Sequence, residues 1–251
     1  LTRRLALIAP LLFGLALAGP ARAQGEEPLV ADLSKHLIAI TTGFTGTDVL
    51  LFGATDGPGD VVVVVRGPEK EETVRRKENV AGLWINRARM GFRDLPQFYH
   101  IAATKPLADL KAGPELQRHQ IGLDVLKIEP EAESLTLGDY ANFREALIRL
   151  KQVRGVFGAE VAPVHVLGNR LFRTEVHFPA NVPVGIYRVE VYLIREGQVA
   201  SAQMTPLSIS KTGFGADLYD FAHHHGALYG LLAILISVLS GWLASVAFKK
   251  R

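Results

Sequence analysis

An antiparallel β-sandwich that carries one amphipathic helix and ends in a membrane-crossing helix is the architecture this sequence predicts. Three observations lead there. The run ALYGLLAILISVLSGWLASVAF, residues 227–248, holds no charge and is followed at once by Lys249, Lys250 and Arg251. Short β-rich segments separated by Gly, Pro, Asn and Asp turns fill most of what precedes it, which is the spacing of an antiparallel sandwich. Between two blocks of such segments, one stretch near residue 140 changes to helical spacing.

The two ends set the topology. As a helix at about 1.5 Å per residue the apolar run is roughly 33 Å long, enough to cross a hydrocarbon core about 30 Å thick. The cations behind it predict a cytoplasmic C-terminus, with everything before the span on the other side. Near the N-terminus, Arg3 and Arg4 precede an apolar core over 5–17 and the small-x-small site Ala21-Arg22-Ala23. This reads as a signal peptide cut between Ala23 and Gln24. An uncleaved anchor is the competing reading, but the apolar core falls short of the roughly 20 residues a span needs. The chain thus divides into a signal peptide (1–23), an exported β-rich domain (24–215), a juxtamembrane segment (216–226), the transmembrane helix (227–248) and a cytoplasmic basic tail (249–251).

The formal charge of +3 belongs to these ends. They hold six of the 28 basic residues and no acid, so the rest carries 22 basic residues against 25 acidic ones and is mildly acidic. No nucleic-acid partner is implied, because that needs a clustered basic face. The absence of cysteine excludes disulfides, thiolate metal sites, haem attachment and a cysteine nucleophile. An exported part of roughly 200 residues can bury its own core, in one lobe or two.

In order, residues 36–42 are β-rich, and Gly43-Phe44-Thr45-Gly46-Thr47 turns them into a strand over 48–54. Residues 55–60 are a turn built from residues that tolerate positive or fixed φ. The five valines 61–65 are too apolar for a strand with one wet face, which predicts burial on both. Gly67-Pro68 ends that strand. Residues 69–77 read as a charged edge strand, 80–85 as another strand and 97–103 as a further one. The helix is expected over about 139–154, with Tyr140, Phe143, Leu147, Leu150 and Val153 facing the core, Asp139 as N-cap and Gly155 as the stop. Its Arg144, Arg149, Lys151 and Arg154 read as a solvated face, with a binding face as the alternative. Residues 164–167, the Gly168-Asn169 turn and residues 171–178 form a predicted hairpin. Tyr187, Val189, Val191 and Leu193 alternate in a late strand that Glu196-Gly197 turns into 198–209. A Gly-x-Tyr opening a late strand after a Pro-rich bend is similar to the ending of immunoglobulin-like sandwiches. That likeness concerns fold and carries no function.

Four groups of residues are candidates for chemistry or contact. Within the span, Ala233, Ser237, Gly241 and Ser245 recur every four residues below Gly226 and Gly230, a small-residue stripe suited to close approach of a partner helix. Tyr229 and Trp242 read as interfacial anchors. His223, His224 and His225 precede the span; Asp220 with His223 and His224 could share a metal, but a polar collar at the head groups is the favoured reading and a pH-sensitive contact the third. Arg66, Arg75, Arg76 and Lys77, near Trp84 and Asn86, could receive a small oxyanion, against the ordinary reading of an edge strand protected by charge. The Gly-rich TGFTGT over 42–47 lacks the Gly-Lys-Ser/Thr ending of a phosphate loop. No G-x-S-x-G or H-E-x-x-H motif occurs. A triad drawn from distant positions leaves no such trace, so no catalytic residue and no cofactor is assigned.

The runs LVADLSKHLIAITTGFTGTDVLLFGA (29–54), VVVVRGP (62–68), VRRKENVAGLWIN (74–86), HQIGLD (119–124) and LFRTEVHFPANVPVGIYRVEVYL (171–193), with the tail from Lys211 to Arg251, resemble a family of exported alphaproteobacterial transmembrane proteins. The family has no established activity and no catalytic residues to carry over. The resemblance implies a bacterial inner-membrane protein, single-pass and mostly periplasmic. Genes of the family often lie near TauE/SafE-type sulfite exporters, which implies an accessory or interaction subunit of such a transporter. The expected partners are the lipid bilayer and a second transmembrane helix, from a multi-pass transporter or a homodimer. A periplasmic oxyanion-binding module is the alternative.

Overall fold

The computed structural model describes residues 28–131 and 137–248. The predicted signal peptide with its Ala23/Gln24 cleavage site, and the basic tail 249–251, lie outside the described residues. In chain order the strands are β1 (Leu29–Leu33), β2 (Leu37–Ile40), β3 (Gly46–Thr55), β4 (Asp60–Arg66), β5 (Glu69–Val80), β6 (Leu83–Pro96), β7 (Tyr99–Ala103), β8 (Glu129–Pro130), β9 (Ala162–Pro163), β10 (His165–Leu167), β11 (Leu171–Pro179), β12 (Gly185–Arg195) and β13 (Gln198–Lys211). The helices are α1 (Gly113–Arg118), α2 (Leu137–Val153), α3 (Phe214–His224) and α4 (Gly226–Phe248), with a 3-10 turn over Leu107–Leu110.

Two sheets form the expected sandwich. One has the order β1-β3-β11-β10 and the other β2-β13-β12-β4-β7-β9. The pairing is antiparallel except at the two edges of the larger sheet, where β2 runs parallel to β13 and β9 parallel to β7. The sheets are joined face to face by aromatic rings: Phe98 stacks on Phe178 of β11 at 5.0 Å and meets Tyr187 of β12 edge-on at 5.5 Å. Gln203 of β13 adds a polar tie, accepting from the Ala31 amide at 2.7 Å and donating to its carbonyl at 2.9 Å.

The valine strand β4 is buried on both faces, as its composition predicts, and the structure supplies the reason. Val61, Val63 and Val65 point into the sandwich, while Val62, Val64 and Arg66 lie on the face shared with Tyr99 and Ile101. That second face is covered by the segment between β7 and α2. Tyr99 donates from its hydroxyl to the Gln120 carbonyl at 2.8 Å and accepts from the Gly122 amide at 2.9 Å. The body is therefore a two-sheet sandwich with a third, irregular layer on the larger sheet.

The hairpin signals are matched where the turn residues are specific. Glu196 and Gly197 (φ +51° and +76°) close β12 and β13, and Gly168 and Asn169 (φ +59° and +57°) sit in the loop between β10 and β11. The apolar residues 80–85 are different. They straddle a turn, with Val80 ending β5, Ala81 and Gly82 at φ +52° and +87°, and Leu83 opening β6. The resulting hairpin pairs with β8 in a third sheet. A glycine with positive φ between two apolar residues was the signal for this turn.

Helix α2 begins at Leu137, two residues before the predicted cap, and stops at Gly155 with φ +71°. Phe143 and Leu147 are buried as expected, but Leu150 (45% exposed) and Val153 (82%) point outward and Lys151 (side chain 3% exposed) takes the inward position. The spacing 143, 147, 151 continues the buried stripe, and the Lys151 ammonium meets the Glu72 carboxylate and the Gln97 side-chain oxygen at 2.9 Å. Arg144 donates to the Leu123 carbonyl at 2.5 Å and Arg154 reaches Glu72 at 3.4 Å. Three of the four cations expected on a solvated face therefore tie the helix to the body. Lys151→Met is expected to lower stability by about 2 kcal/mol, because it leaves a largely desolvated Glu72 with only its longer contact to the exposed Arg154. Urea unfolding followed by circular dichroism checks this, and the double variant with Glu72→Gln should recover most of the loss.

Several elements leave the sandwich at one end. Arg66 pairs with Tyr99 and Arg188, and Gly185 with Ile209. The ends of β4 and β13 and the starts of β7 and β12 thus share one end of the larger sheet. The β5–β6 hairpin departs and returns there, and β13 continues from there through α3 into α4.

Candidate functional site

The apolar run folds as α4, a helix of 23 residues whose most apolar 18-residue stretch has mean hydropathy 2.3, and the other described residues bury no residue of it. It begins at Gly226, so the whole small-residue stripe Gly226, Gly230, Ala233, Ser237, Gly241 and Ser245 lies within it. Ser237 donates to the Ala233 carbonyl at 2.8 Å and Ser240 to the Ile236 carbonyl at 2.7 Å, so these hydroxyls are satisfied inside the helix. A Cβ added at Gly226, Gly230 or Gly241 would meet nothing within 4 Å. No contact among the described residues requires a glycine at these positions.

Just before the span, the predicted juxtamembrane segment is helical, as α3. His223 Nδ1 lies 2.9 Å from the Tyr219 carbonyl and its ring 3.9 Å from the Tyr219 ring. The His225 and Tyr229 rings both approach Phe221. Asp220 and His224 are one turn apart on α3. Among the described residues no three His, Asp or Glu side chains gather as metal ligands.

A cavity of about 350 Å³ opens at the end of the sandwich where the hairpin departs. Its floor is Arg66, buried at the end of the valine strand. Arg66 Nε donates to Glu190 at 3.1 Å, and Nη2 donates to the His119 and Gln120 carbonyls at 2.6 and 3.2 Å. The guanidinium also stands 5.4 Å from the centre of the Tyr99 ring. Tyr192 donates to the same Glu190 oxygen at 3.0 Å. Burial, and then the Glu190 carboxylate, push the Tyr192 hydroxyl well above the ordinary tyrosine range, and burial does the same to Tyr99. Both phenols are therefore fixed as neutral donors. Arg188 holds Glu69 at 2.7 Å across the rim.

This geometry separates the four residues expected to receive an oxyanion. Arg66 lies in the cavity with its donors engaged, while Arg75, Arg76 and Lys77 lie on the outer half of β5. Arg76 pairs with Glu78 at 3.1 Å, approaches Asp139 at 4.0 Å and stands over the Phe143 ring. The cavity itself is charge-balanced, with Arg66, Lys127 and Arg188 set against Glu69, Asp94 and Glu190. With its three cations matched by three carboxylates, the cavity presents no excess of positive charge to an anion. Glu190 was missed in the sequence; its only trace is a lone acid among the alternating apolar residues of β12.

A second cavity, of about 320 Å³, lies between the sheets and is lined by His100, Glu160, Glu175 and His177 among apolar residues. His100 Nε2 is buried without a hydrogen-bond partner. Desolvation lowers the His100 pKa, the Gly155 backbone works against it, and the charge of His177 adds to it. His177 Nδ1 meets Asp48 at 2.6 Å on the surface. Among the described residues that line this cavity none is Ser, Thr or Cys.

Comparison with known families finds one whose model, described as "Putative transmembrane protein (Alph_Pro_TM)", matches residues 28–250. The match takes in the sandwich, the hairpin and α4 together. No curated protein matches the chain.

Proposed function

The chain belongs to this transmembrane protein family, and we propose that it is a single-pass, membrane-anchored interaction subunit whose β body sits on the periplasmic side of the bacterial inner membrane. Its partner in this reading is a second transmembrane helix, of a multi-pass transporter of the sulfite or sulfonate exporter type or of a second copy. One observation carries the reading: no residue of α4 is buried by the other described residues, and the glycines of its small-residue stripe face open space. Between lipid-solvated helices association comes from close packing, and small residues allow it where leucine would hold the helices apart. The body in this reading acts by contact.

Purification of the full chain in a mild detergent is expected to recover a multi-pass protein or a homodimer, and Gly241→Leu to reduce that recovery several-fold. Recovery of monomer alone from both forms would sink the proposal. A reporter fused after Arg251 should be active only in the cytoplasm; periplasmic activity would invert the orientation.

A further inference from the structure

The β5–β6 hairpin is built unlike the rest of the body. Its root is core, with Val74 and Met90 buried. Beyond that pair every residue from Arg75 to Arg87 except Glu78 is exposed. From Lys77 to Gly82 the ribbon extends about 17 Å at about 3.3 Å per residue. At its tip Leu83 (70% exposed), Trp84 (69%), Val80 and Ile85 stand clear of any core. Four large apolar side chains on one short turn are more than the scattered exposure normal for a soluble surface.

Charge is segregated to match. Residues 75–89 hold Arg75, Arg76, Lys77, Arg87 and Arg89 against the single acid Glu78. The rest of 24–248 holds 17 basic residues against 24 acidic ones. The hairpin is thus a cationic shaft with an apolar tip, on a body that is otherwise acidic. The topology then aims it: the hairpin leaves the larger sheet at the end where β13 leads into α3 and α4. The body therefore directs the span and the hairpin from one side.

We propose that the β5–β6 tip is a second membrane contact, with Val80, Leu83, Trp84 and Ile85 seated shallowly among the head groups and Arg75, Arg76, Lys77, Arg87 and Arg89 held on anionic lipid. The inference rests on the reading of α4 as a membrane span. Tryptophan favours the interfacial layer, and each cation near an anionic surface adds attraction that salt screens. The two-residue turn pairs Val80 with Leu83, so the backbone enters with its tip polar groups largely satisfied. With the span behind α3 and the hairpin in front, the body is held at two points and loses rotation about α4. The arginine-floored cavity, at the same end, then faces the membrane surface.

The test uses the full chain with Trp242→Phe, which leaves Trp84 as the only tryptophan. It is reconstituted into nanodiscs of phosphatidylcholine alone or with phosphatidylglycerol, each made with acyl-chain-brominated lipid. The expected result is loss of most Trp84 emission in the anionic discs. That loss is reversed by Leu83→Asp, by the triple change of Arg75, Lys77 and Arg89 to Glu, and by high salt. These substitutions are at exposed positions beyond the core, and unchanged circular dichroism verifies the fold. Trp84 unquenched in anionic discs, equally quenched in neutral ones, or shielded only after a second protein is added, overturns the inference while leaving the anchoring intact. Failure of the full chain to enter discs at all overturns both.

Discussion

Phe98→Ala is expected to lower the stability of the body by about 4 kcal/mol, the upper part of the range for removing a fully buried aromatic ring. Phe98 has no exposed surface and contacts three rings, Phe178, His100 and Tyr187, at 5.0, 4.6 and 5.5 Å. The ring is thus a central contact between the larger sheet and the smaller one. It also cannot shift to fill the space differently: a Cβ at Gly67 would lie 2.8 Å from the Phe98 Cβ, and the Gly67 amide donates to the Phe98 carbonyl at 2.8 Å. The void left by alanine would therefore stay open. Phe98→Leu, which keeps most of the volume, should cost about 1.5 kcal/mol. The urea midpoint of the detergent-solubilised chain, followed by β-sheet circular dichroism, separates the two. Equal losses for both would mean that ring geometry matters more than filled volume.

Arg66→Met is expected to cost about 3 kcal/mol, because it removes one partner of a largely buried ion pair and leaves the Glu190 carboxylate facing Tyr99, Tyr192 and the valine strand. Two backbone carbonyls, of His119 and Gln120, lose a donor in the same step. Those carbonyls belong to the layer covering the outer face of β4, so the loss should appear first as loosening of residues 107–128. Hydrogen exchange is the suitable readout: amides of 119–122 should lose protection before those of β12. The double variant Arg66→Met with Glu190→Gln should recover more than half of the stability, since no unpaired charge remains. Failure to recover would place the effect of Arg66 in the two carbonyl contacts.

What was legible in the sequence is what local chemistry encodes. An unbroken run of 22 uncharged residues is a helix able to cross a membrane, by length and polarity. Five consecutive valines are a strand with two dry faces, and the structure shows which layers make them dry. Glu196-Gly197 and Gly168-Asn169 are turns because these residues accept positive φ. Where the reading failed, the error was also local. Residues 80–85 looked continuous because apolarity persists through Ala81-Gly82, and only the positive φ of both residues breaks it. Leu150 and Val153 were placed inward because apolar side chains on a helix usually are, yet the last turn of α2 faces Glu72 and Gln97, and a lysine stem with its ammonium fits there better than a leucine.

The site residues follow the same division. Arg66, Arg75, Arg76 and Lys77, near Trp84 and Asn86, form the oxyanion cluster that the sequence suggests; the chain keeps all but Arg66 on one hairpin. Sequence proximity placed Arg66 with that cluster, whereas strand direction sends its side chain to Glu190. The metal candidates Asp220, His223 and His224 remain neighbours on α3 because helical spacing is itself a short-range property.

The sequence alone determined the anchor, the β content and the turns, each set by residues within a few positions of one another through backbone dihedrals and hydrophobic period. The tertiary structure alone decided the parallel edge pairings, the burial of Lys151, the union of Arg66 with Glu190 across 124 residues, and the departure of hairpin and span from one end of the sandwich. These depend on which strands become neighbours and in what register, and that choice is made by closing the whole core at once.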